Sequence, residues 1–85
     1  MKDSVTLFGT SACHLCEVAQ AMLDATLNPE FFQINKVDIA DSDALIEQYG
    51  VRIPVLRRDA DAHELNWPFD VERLIAFLSE DVDAS

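Results

Sequence analysis

Two cysteines three positions apart, Cys13 and Cys16, are the residues of this sequence best suited to chemistry. On a helix this spacing places both side chains on the same side of one turn, so that the two sulfur atoms lie close together. Such a pair can exchange disulfide bonds with a substrate, or it can supply half of the four ligands that a structural zinc ion needs. The other candidate ligand, His63, lies far along the chain. We therefore expect no metal site within the chain, and disulfide exchange is the favoured hypothesis.

The segment before the cysteines places them at the start of a helix. Residues 5–8 are β-branched and aromatic and are followed by Gly-Thr-Ser at 9–11, a pattern typical of a buried strand and a turn. Cys13 would then lie where unpaired N–H groups and the positive end of the helix dipole favour an anion. This lowers the pKa of its thiol from the free value of ~8.5. We predict that Cys13 attacks a disulfide and that Cys16 resolves the mixed disulfide.

His14 lies between the two cysteines, and two interpretations of it remain open. A protonated or hydrogen-bonded imidazole near the sulfur of Cys13 would stabilise the thiolate and make the oxidised protein a stronger oxidant, so His14 is a candidate catalytic residue. Alternatively, His14 is a solvated loop residue that takes no part in the chemistry.

Composition argues against several classes of function. The 85 residues include six Lys and Arg and sixteen Asp and Glu, a net charge of −10 at pH 7. Nucleic acids and anionic membrane surfaces would repel such a chain, so neither is expected as a partner. No segment approaches the ~18 apolar residues of a membrane-spanning helix, and the first residues do not form a signal-peptide core. We expect a cytoplasmic protein, because thiols stay reduced in that compartment.

Hydrophobic periodicity predicts one domain over residues 1–80 with the element order β-α-β-α-β-β-α, followed by an acidic tail at 81–85. The strands are predicted at residues 5–8, 31–39, 53–56 and 62–65, with a bend or bulge in the second. The helices are predicted from the cysteine pair to residue 28, over residues 44–49, and after Pro68 and Asp70. Helices between the first three strands imply parallel pairing for at least one pair of strands.

Apolar residues at helical spacing predict the buried faces of the first and last helices. The face of the first helix is predicted to be Leu15, Val18, Ala19, Met22 and Leu23, with Glu17, Gln20 and Asp24 on the other side. The face of the last helix is predicted to be Val71, Leu74, Ile75 and Leu78.

The order of elements and motifs resembles the thioredoxin fold. A strand and a turn are followed by a CxxC at a helix start, then by a second β-α pair, and then by Ile53-Pro54 at the start of a strand. The chain length resembles that of a glutaredoxin. The resemblance implies an α/β fold with a mixed four-stranded sheet flanked by three helices, and the activity of a thiol–disulfide oxidoreductase. It also implies that Pro54 is a cis-proline beside Cys13. The backbone of Ile53 would then be free to pair with an extended substrate segment.

The sequence departs from the glutaredoxin pattern at three places. Residues 8–12 contain no basic residue to hold a glutathione carboxylate, residues 66–70 lack the usual Gly-Gly turn, and the interior of the CxxC is His-Leu. The usual glutathione-binding residues are thus not evident. We expect no cofactor, with glutathione as one candidate reductant. The expected partners are protein or small-molecule disulfides, and the expected state is a monomer.

Half of the six basic residues lie close together at Arg52, Arg57 and Arg58. A basic patch beside Pro54 could hold a carboxylate of glutathione or of a partner, so Arg52, Ile53 and Pro54 are the candidate substrate-binding residues. The alternative is surface charge that keeps an otherwise apolar strand soluble.

Two interpretations also remain open for the segment Trp67-Pro68-Phe69, which could be an apolar lid near the cysteines or a structural cap on the last helix. For the whole chain, the alternative to catalysis is a non-catalytic module that displays the Pro54 edge and the Trp67 region to a protein partner. A less favoured alternative is metal binding or dimerisation through the CxxC.

Overall fold

Strands and helices follow one another in the predicted order. The computed structural model describes residues 3–11 and 13–79. The elements are β1 (Asp3–Gly9), α1 (His14–Thr26), β2 (Phe32–Asp38), a 3-10 turn (Ile39–Asp41), α2 (Asp43–Tyr49), β3 (Val55–Arg58), β4 (Glu64–Asn66) and α3 (Val71–Ser79).

The four strands form one sheet with the order β2-β1-β3-β4. β1 pairs in parallel with β2 through the α1 crossover, whereas the pairs β1–β3 and β3–β4 are antiparallel. This mixed sheet with three helices confirms the α/β fold expected from the sequence. β1 is a central strand and ends just before the cysteines. The start of α1 is therefore fixed at the end of the sheet where β1 ends.

Apolar side chains cover both faces of the sheet because successive strand residues point to opposite sides. On one face Leu7 packs in a cluster with Leu23 of α1 and Leu74 of α3. On the other face Phe8 stacks on Tyr49 of α2, with ring centroids 4.3 Å apart. Helices α1 and α3 therefore lie on one side of the sheet and α2 on the other.

α1 is rotated about its axis relative to the face predicted from the sequence. Its buried residues are Cys16, Ala19 and Leu23, whereas Leu15 is 46% exposed and Val18 is 39% exposed. The prediction left Cys16 out of the apolar face, although a cysteine packs as a small apolar residue. The packing of α1 on β1 thus turns Cys16 inward.

The buried face of α3 also differs from the prediction. Leu74 and Phe77 are buried, whereas Val71 and Ile75 are about half exposed. The predicted face left out Phe77, which has the largest apolar side chain of this helix and lies three residues after Leu74, on the same side. Burial of the phenylalanine ring decides the rotation of the helix.

Three strands differ from the sequence prediction in detail. β3 begins at Val55, two residues later than predicted, and β4 begins at Glu64. β2 pairs with β1 in a continuous register of seven residue pairs, so the bulge expected in β2 is absent from this pairing.

The predicted acidic tail, residues 81–85, lies outside the described residues. None of the helices in the described ranges has the length and apolar character needed to cross a membrane.

Candidate active site

Cys13 is the N-cap residue of α1. Its backbone is extended, with φ −101° and ψ 110°, and its carbonyl accepts the first helical hydrogen bond from the N–H of Glu17 at 3.2 Å. The sulfur of Cys13 accepts a hydrogen bond from the backbone N–H of Cys16 at 3.0 Å. A side chain that caps a helix in this way satisfies one of the unpaired N–H groups of the first turn. In the reduced protein the same donor stabilises a thiolate better than a thiol.

The two cysteines form a disulfide across the first turn of α1, with their Cα atoms 5.2 Å apart. Cys13 is partly exposed, whereas Cys16 is buried, with 8% of its surface exposed. A substrate can therefore approach the sulfur of Cys13 from solvent, and the sulfur of Cys16 is shielded. The assignment of Cys13 as the attacking cysteine and Cys16 as the resolving cysteine stays a prediction, and it requires such a difference in access.

Gly9, the last residue of β1, lies directly under the buried sulfur. A Cβ atom at this position would lie 2.7 Å from Sγ of Cys16 and 3.0 Å from its Cβ. The lack of a side chain at Gly9 thus allows α1 to approach the sheet closely. Sequence reasoning assigned this glycine only to a turn, because the contact depends on the packing of a helix on a strand.

His14 is the first residue of α1 and not a loop residue, but its side chain is solvated as in the second of the two interpretations. Its side chain is 85% exposed, and its Nδ1 lies 3.7 Å from Oε2 of Glu17, one turn along α1. The imidazole thus faces a carboxylate on the outer surface of the helix.

The candidate substrate-binding segment lies at the same edge of the sheet as Gly9. Phe8 pairs with Val55 in the antiparallel β1–β3 register, so Gly9, which follows Phe8, and Pro54, which precedes Val55, are neighbours at this end of the sheet. The Ile53-Pro54 peptide bond is cis. One expectation needs correction, because the backbone of Ile53 is not entirely free for a substrate. Its N–H donates to the carbonyl of Tyr49 at 3.1 Å as α2 ends.

Arg52 is held by groups from its own surroundings. Its guanidinium lies 3.5 Å from Oε1 of Glu64 and 3.3 Å from Oδ1 of Asn66, and it covers the ring of Tyr49 at 5.0 Å. The hydroxyl of Tyr49 donates to the other oxygen of Glu64 at 2.6 Å. Burial raises the pKa of Tyr49, and the hydrogen bond to the Glu64 carboxylate raises it further. Arg52 therefore takes part in a structural network between α2 and β4.

The three arginines do not form the basic patch considered from the sequence. Arg57 lies 3.2 Å from Asp59 and covers the ring of Phe8, whereas Arg58 is buried and lies 2.6 Å from Asp61. Adjacent strand residues point to opposite faces of a sheet, so Arg57 and Arg58 cannot share one surface. The surface-charge alternative is also wrong for Arg58. Its guanidinium is buried, and one of its N–H groups donates to a backbone carbonyl of α3.

The Trp67-Pro68-Phe69 segment packs as a structural cap at the start of α3. Phe69 is buried in the core beneath α1 and α3, and the ring of Trp67 meets it edge-on with centroids 5.0 Å apart. Asp70 then caps α3, because its Oδ1 accepts the N–H of Arg73 at 2.8 Å. The segment thus fixes the start of the helix.

A groove of about 530 Å³ runs from the disulfide along α1, and sequence reasoning did not identify it. Its lining residues come from the end of β1 and the turn after it, from one face of α1, and from β2: Leu7, Gly9, Thr10, Ser11, Cys16, Glu17, Gln20, Ala21, Asp24, Lys36, Val37 and Asp38. The signal was the polar spacing of Glu17, Gln20 and Asp24, which the sequence pattern placed on the side of α1 opposite its apolar face. Within residues 3–11 and 13–79, no three His, Cys, Asp or Glu side chains are grouped to hold a metal ion.

Comparison with known proteins gives a family match over nearly the whole chain. Residues 4–79 match the family described as Glutaredoxin-like domain. A search of curated proteins found no match to the chain.

Solved structures match the chain over almost its full length. The X-ray structure of protein XcR50 from X. campestris is 41% identical with a TM-score of 0.77, and the alignment covers 95% of this chain and 97% of that chain. The solution structure of protein Ne2328 from Nitrosomonas europaea is 28% identical with a TM-score of 0.77, covering 93% and 94%. A malarial protein is 17% identical with a TM-score of 0.70, covering 96% and 99%, and that likeness shows the fold alone.

Proposed function

This chain belongs to the glutaredoxin-like domain family, and on that basis we propose that it is a cytoplasmic thiol–disulfide oxidoreductase that uses Cys13 and Cys16. The observation that carries the proposal is the geometry at the start of α1. The partly exposed sulfur of Cys13 accepts the N–H of Cys16, and the buried sulfur of Cys16 is within bonding distance. A scaffold that only binds partners has no need of this arrangement.

The reaction begins from the reduced protein. The thiolate of Cys13 attacks one sulfur of a substrate disulfide, which forms a mixed disulfide with Cys13 and releases the other substrate sulfur as a thiolate that takes up a proton. The thiol of Cys16 then loses its proton and attacks the sulfur of Cys13. This step forms the intramolecular disulfide and releases the second substrate thiol. The substrate has gained two electrons and two protons, and the protein has lost them.

A dithiol or two monothiol molecules must return the protein to its reduced form. The exchange needs no cofactor, because the electrons pass directly between sulfur atoms. Glutathione is one candidate reductant. Arg52, Ile53 and Pro54 remain the candidate substrate-binding residues at the edge beside Gly9, with the carbonyl of Ile53 as the group offered to a substrate backbone.

The proposal is tested by reduction of insulin with dithiothreitol as the electron source. The wild-type protein should accelerate the reduction, and Cys13→Ser should abolish the acceleration. Cys16→Ser should retain the attacking thiol and accumulate a covalent mixed disulfide with the substrate, visible on a non-reducing gel. These two variants are matched controls, because each replaces one sulfur with oxygen.

The alternative of a non-catalytic binding module predicts different results. If binding alone were the function, both cysteine variants would bind a partner as well as the wild type does, and neither would form a covalent adduct. Absence of dithiothreitol-dependent reduction of both insulin and a mixed glutathione disulfide by the wild-type protein would contradict the proposal.

A further inference from the structure

Tyr49, the last residue of α2, holds the backbone segment that leads into β3. Its carbonyl accepts the N–H of Arg52 at 2.8 Å and the N–H of Ile53 at 3.1 Å. The carbonyl of Pro54 accepts the N–H of Trp67 at 3.3 Å, and proline has no N–H to donate. Within residues 3–11 and 13–79, the carbonyl of Ile53 is thus the one polar backbone group of residues 53 and 54 that has no backbone partner.

The side chain of Tyr49 spans β3. Its buried ring stacks on Phe8 of β1, with ring centroids 4.3 Å apart, and its hydroxyl donates to Oε2 of Glu64 in β4 at 2.6 Å. β1 and β4 are the two neighbours of β3 in the sheet. One side chain therefore fixes the end of α2 against both neighbours of the strand that begins after Pro54.

The hydroxyl of Tyr49 is more informative than its ring. The stacking contact with Phe8 needs only an aromatic ring, and a phenylalanine would supply it. A buried tyrosine hydroxyl needs a hydrogen-bond partner, and a carboxylate acceptor makes the bond roughly twice as strong as one between neutral groups. Burial raises the pKa of Tyr49, and the hydrogen bond to Glu64 raises it further, so the phenol keeps its proton and remains the donor.

Glu64 also contacts a second residue of the segment. Its other oxygen, Oε1, lies 3.5 Å from the guanidinium of Arg52, which covers the ring of Tyr49 at 5.0 Å. Nε of Arg52 donates to the carbonyl of Gln48 at 3.3 Å, so this side chain bridges the end of α2 and β4. Tyr49 and Glu64 together therefore hold both the backbone and the side chain of the residue before Ile53.

We propose that Tyr49 is a positioning residue for polypeptide substrates of the disulfide exchange. Its own carbonyl, and its hydroxyl bonded to Glu64, hold the carbonyl of Ile53 in place to accept an N–H of the substrate backbone. Tyr49 itself does not touch the substrate. This inference rests on the proposed function and adds the group that favours a polypeptide over a small disulfide, because a small disulfide has no peptide N–H to donate.

The test compares two disulfides that share one half. One is an extended peptide whose single cysteine is bonded to 2-mercaptoethanol, and the other is bis(2-hydroxyethyl) disulfide. Initial rates with dithiothreitol as the electron source, corrected for the uncatalysed reaction, give kcat and KM for each. In Tyr49→Phe the ratio of kcat/KM for the peptide to kcat/KM for the small disulfide should fall about three- to tenfold, the effect of roughly one hydrogen bond. The fall should come from a higher KM for the peptide.

Thr6→Val is the matched control. It also removes a buried hydroxyl that donates to a carboxylate, that of Asp59 at 2.9 Å, but it leaves the bonds of Tyr49 in place. The ratio of the two kcat/KM values should therefore equal that of the wild type. A variant that only loses stability lowers the rates with both disulfides together, and the ratio does not change.

Glu64→Ala tests whether Tyr49 acts through Glu64. It removes the acceptor, so the ratio should fall, and Tyr49→Phe added to Glu64→Ala should lower the ratio by less than Tyr49→Phe does alone.

Amide hydrogen exchange of the ¹⁵N-labelled protein gives a measurement without substrate. The N–H groups of Arg52 and Ile53 should exchange faster in Tyr49→Phe than in the wild type. In Thr6→Val they should change only as much as the amides of the core strands do.

The inference and the proposed function fail in different ways. If the wild type reduces neither disulfide, the proposed function is wrong and this inference falls with it. If the wild type reduces both, and the ratio in Tyr49→Phe equals that in Thr6→Val, the positioning role is wrong and the proposed function stands. Unchanged exchange at Arg52 and Ile53 in Tyr49→Phe would also overturn the positioning role.

Discussion

Gly9 and Cys16 approach each other so closely that a Cβ atom on Gly9 would lie 2.7 Å from the buried sulfur. The end of the central strand thus fixes the depth at which α1 rests on the sheet. At that depth Cys16 is buried, whereas Cys13, at the start of the same helical turn, remains partly exposed to solvent. One missing side chain therefore contributes to the different access of the two sulfurs.

Replacing Gly9 with alanine should destabilise the protein by about 1–3 kcal/mol, because overpacking a buried contact forces the helix or the strand to move. Denaturant unfolding of the wild type and of Gly9→Ala measures the effect. Displacement of α1 should also increase alkylation of Cys16 in the reduced variant. Unchanged stability together with unchanged alkylation would show that the space under the sulfur is not limiting.

The capping hydrogen bond should lower the pKa of the Cys13 thiol in the reduced protein. The variant Cys16→Ser isolates Cys13 and keeps the donor, because the donor is the backbone N–H of residue 16. The rate of iodoacetamide alkylation against pH should show a midpoint between ~3.5 and ~7.5, the range for such thiolates, instead of ~8.5.

The control for this measurement is the same variant unfolded in concentrated urea, where the helix dipole and the cap are lost. Its midpoint should return towards the free-thiol value. A folded midpoint near 8.5 would contradict thiolate stabilisation. The same measurement can be made with His14→Ala added to the Cys16→Ser variant. A midpoint equal to that of Cys16→Ser alone would show that the helix start, and not His14, lowers the pKa of Cys13.

The CxxC and the order of the elements were predictable from sequence because their signals are local, and the fold was predictable through the resemblance to the thioredoxin fold. A strand pattern ending at Gly9 places Cys13 at a helix start with no knowledge of distant residues. The rotation of α1 was not predictable in this way. Leu15 and Val18 are apolar, yet they stay largely exposed because Cys16 takes the inward position against Gly9.

The roles of the arginines depended on tertiary partners. Arg52, Arg57 and Arg58 are close in sequence, but each meets a different carboxylate once β3 and β4 form their hairpin. The groove along α1 escaped prediction for the same reason. The polar side of α1 faces the edge strand β2, and only the parallel β1–β2 register brings Asp38 opposite that side.

Arg58 ties the β3–β4 hairpin to α3 and should be intolerant of a conservative change. Its guanidinium donates to the carbonyl of Phe77 at 2.7 Å and to Asp61 at 2.6 Å. Lysine keeps the charge but cannot span both acceptors, so Arg58→Lys should lower the free energy of unfolding by about 1–3 kcal/mol.

Arg73→Lys on the exposed side of α3 is the matched control for Arg58→Lys, and its effect should stay within about 0.5 kcal/mol. Both values come from urea denaturation at one pH. Equal, small effects of the two substitutions would show that Arg58 acts only as a charge.

Asp59 should make the protein sensitive to acid. Burial alone would raise the pKa of this carboxyl, but hydrogen bonds from Ser4, Thr6 and Arg57 outweigh burial and lower the pKa from its ordinary value of 3.8. The hydroxyl of Ser4 donates at 2.6 Å, that of Thr6 at 2.9 Å, and Nε of Arg57 at 3.2 Å. The carboxylate therefore links the start of β1 to the end of β3.

The sign of the pH dependence follows from the lowered pKa. The folded protein binds the Asp59 proton less readily than the unfolded chain, so this stabilisation is complete above the unfolded pKa and is lost as the pH falls through the folded pKa. At pH 7 Asp59→Asn should lower the free energy of unfolding by about 1–3 kcal/mol. The difference from wild type should shrink below about pH 4, where protonation removes the same charge in the wild type. Asp41→Asn, at an exposed carboxylate, is the control and should have the same free energy of unfolding as the wild type at every pH. If the free energy of unfolding lost in Asp59→Asn stayed constant from pH 7 to pH 2, the charge of Asp59 would contribute nothing to stability.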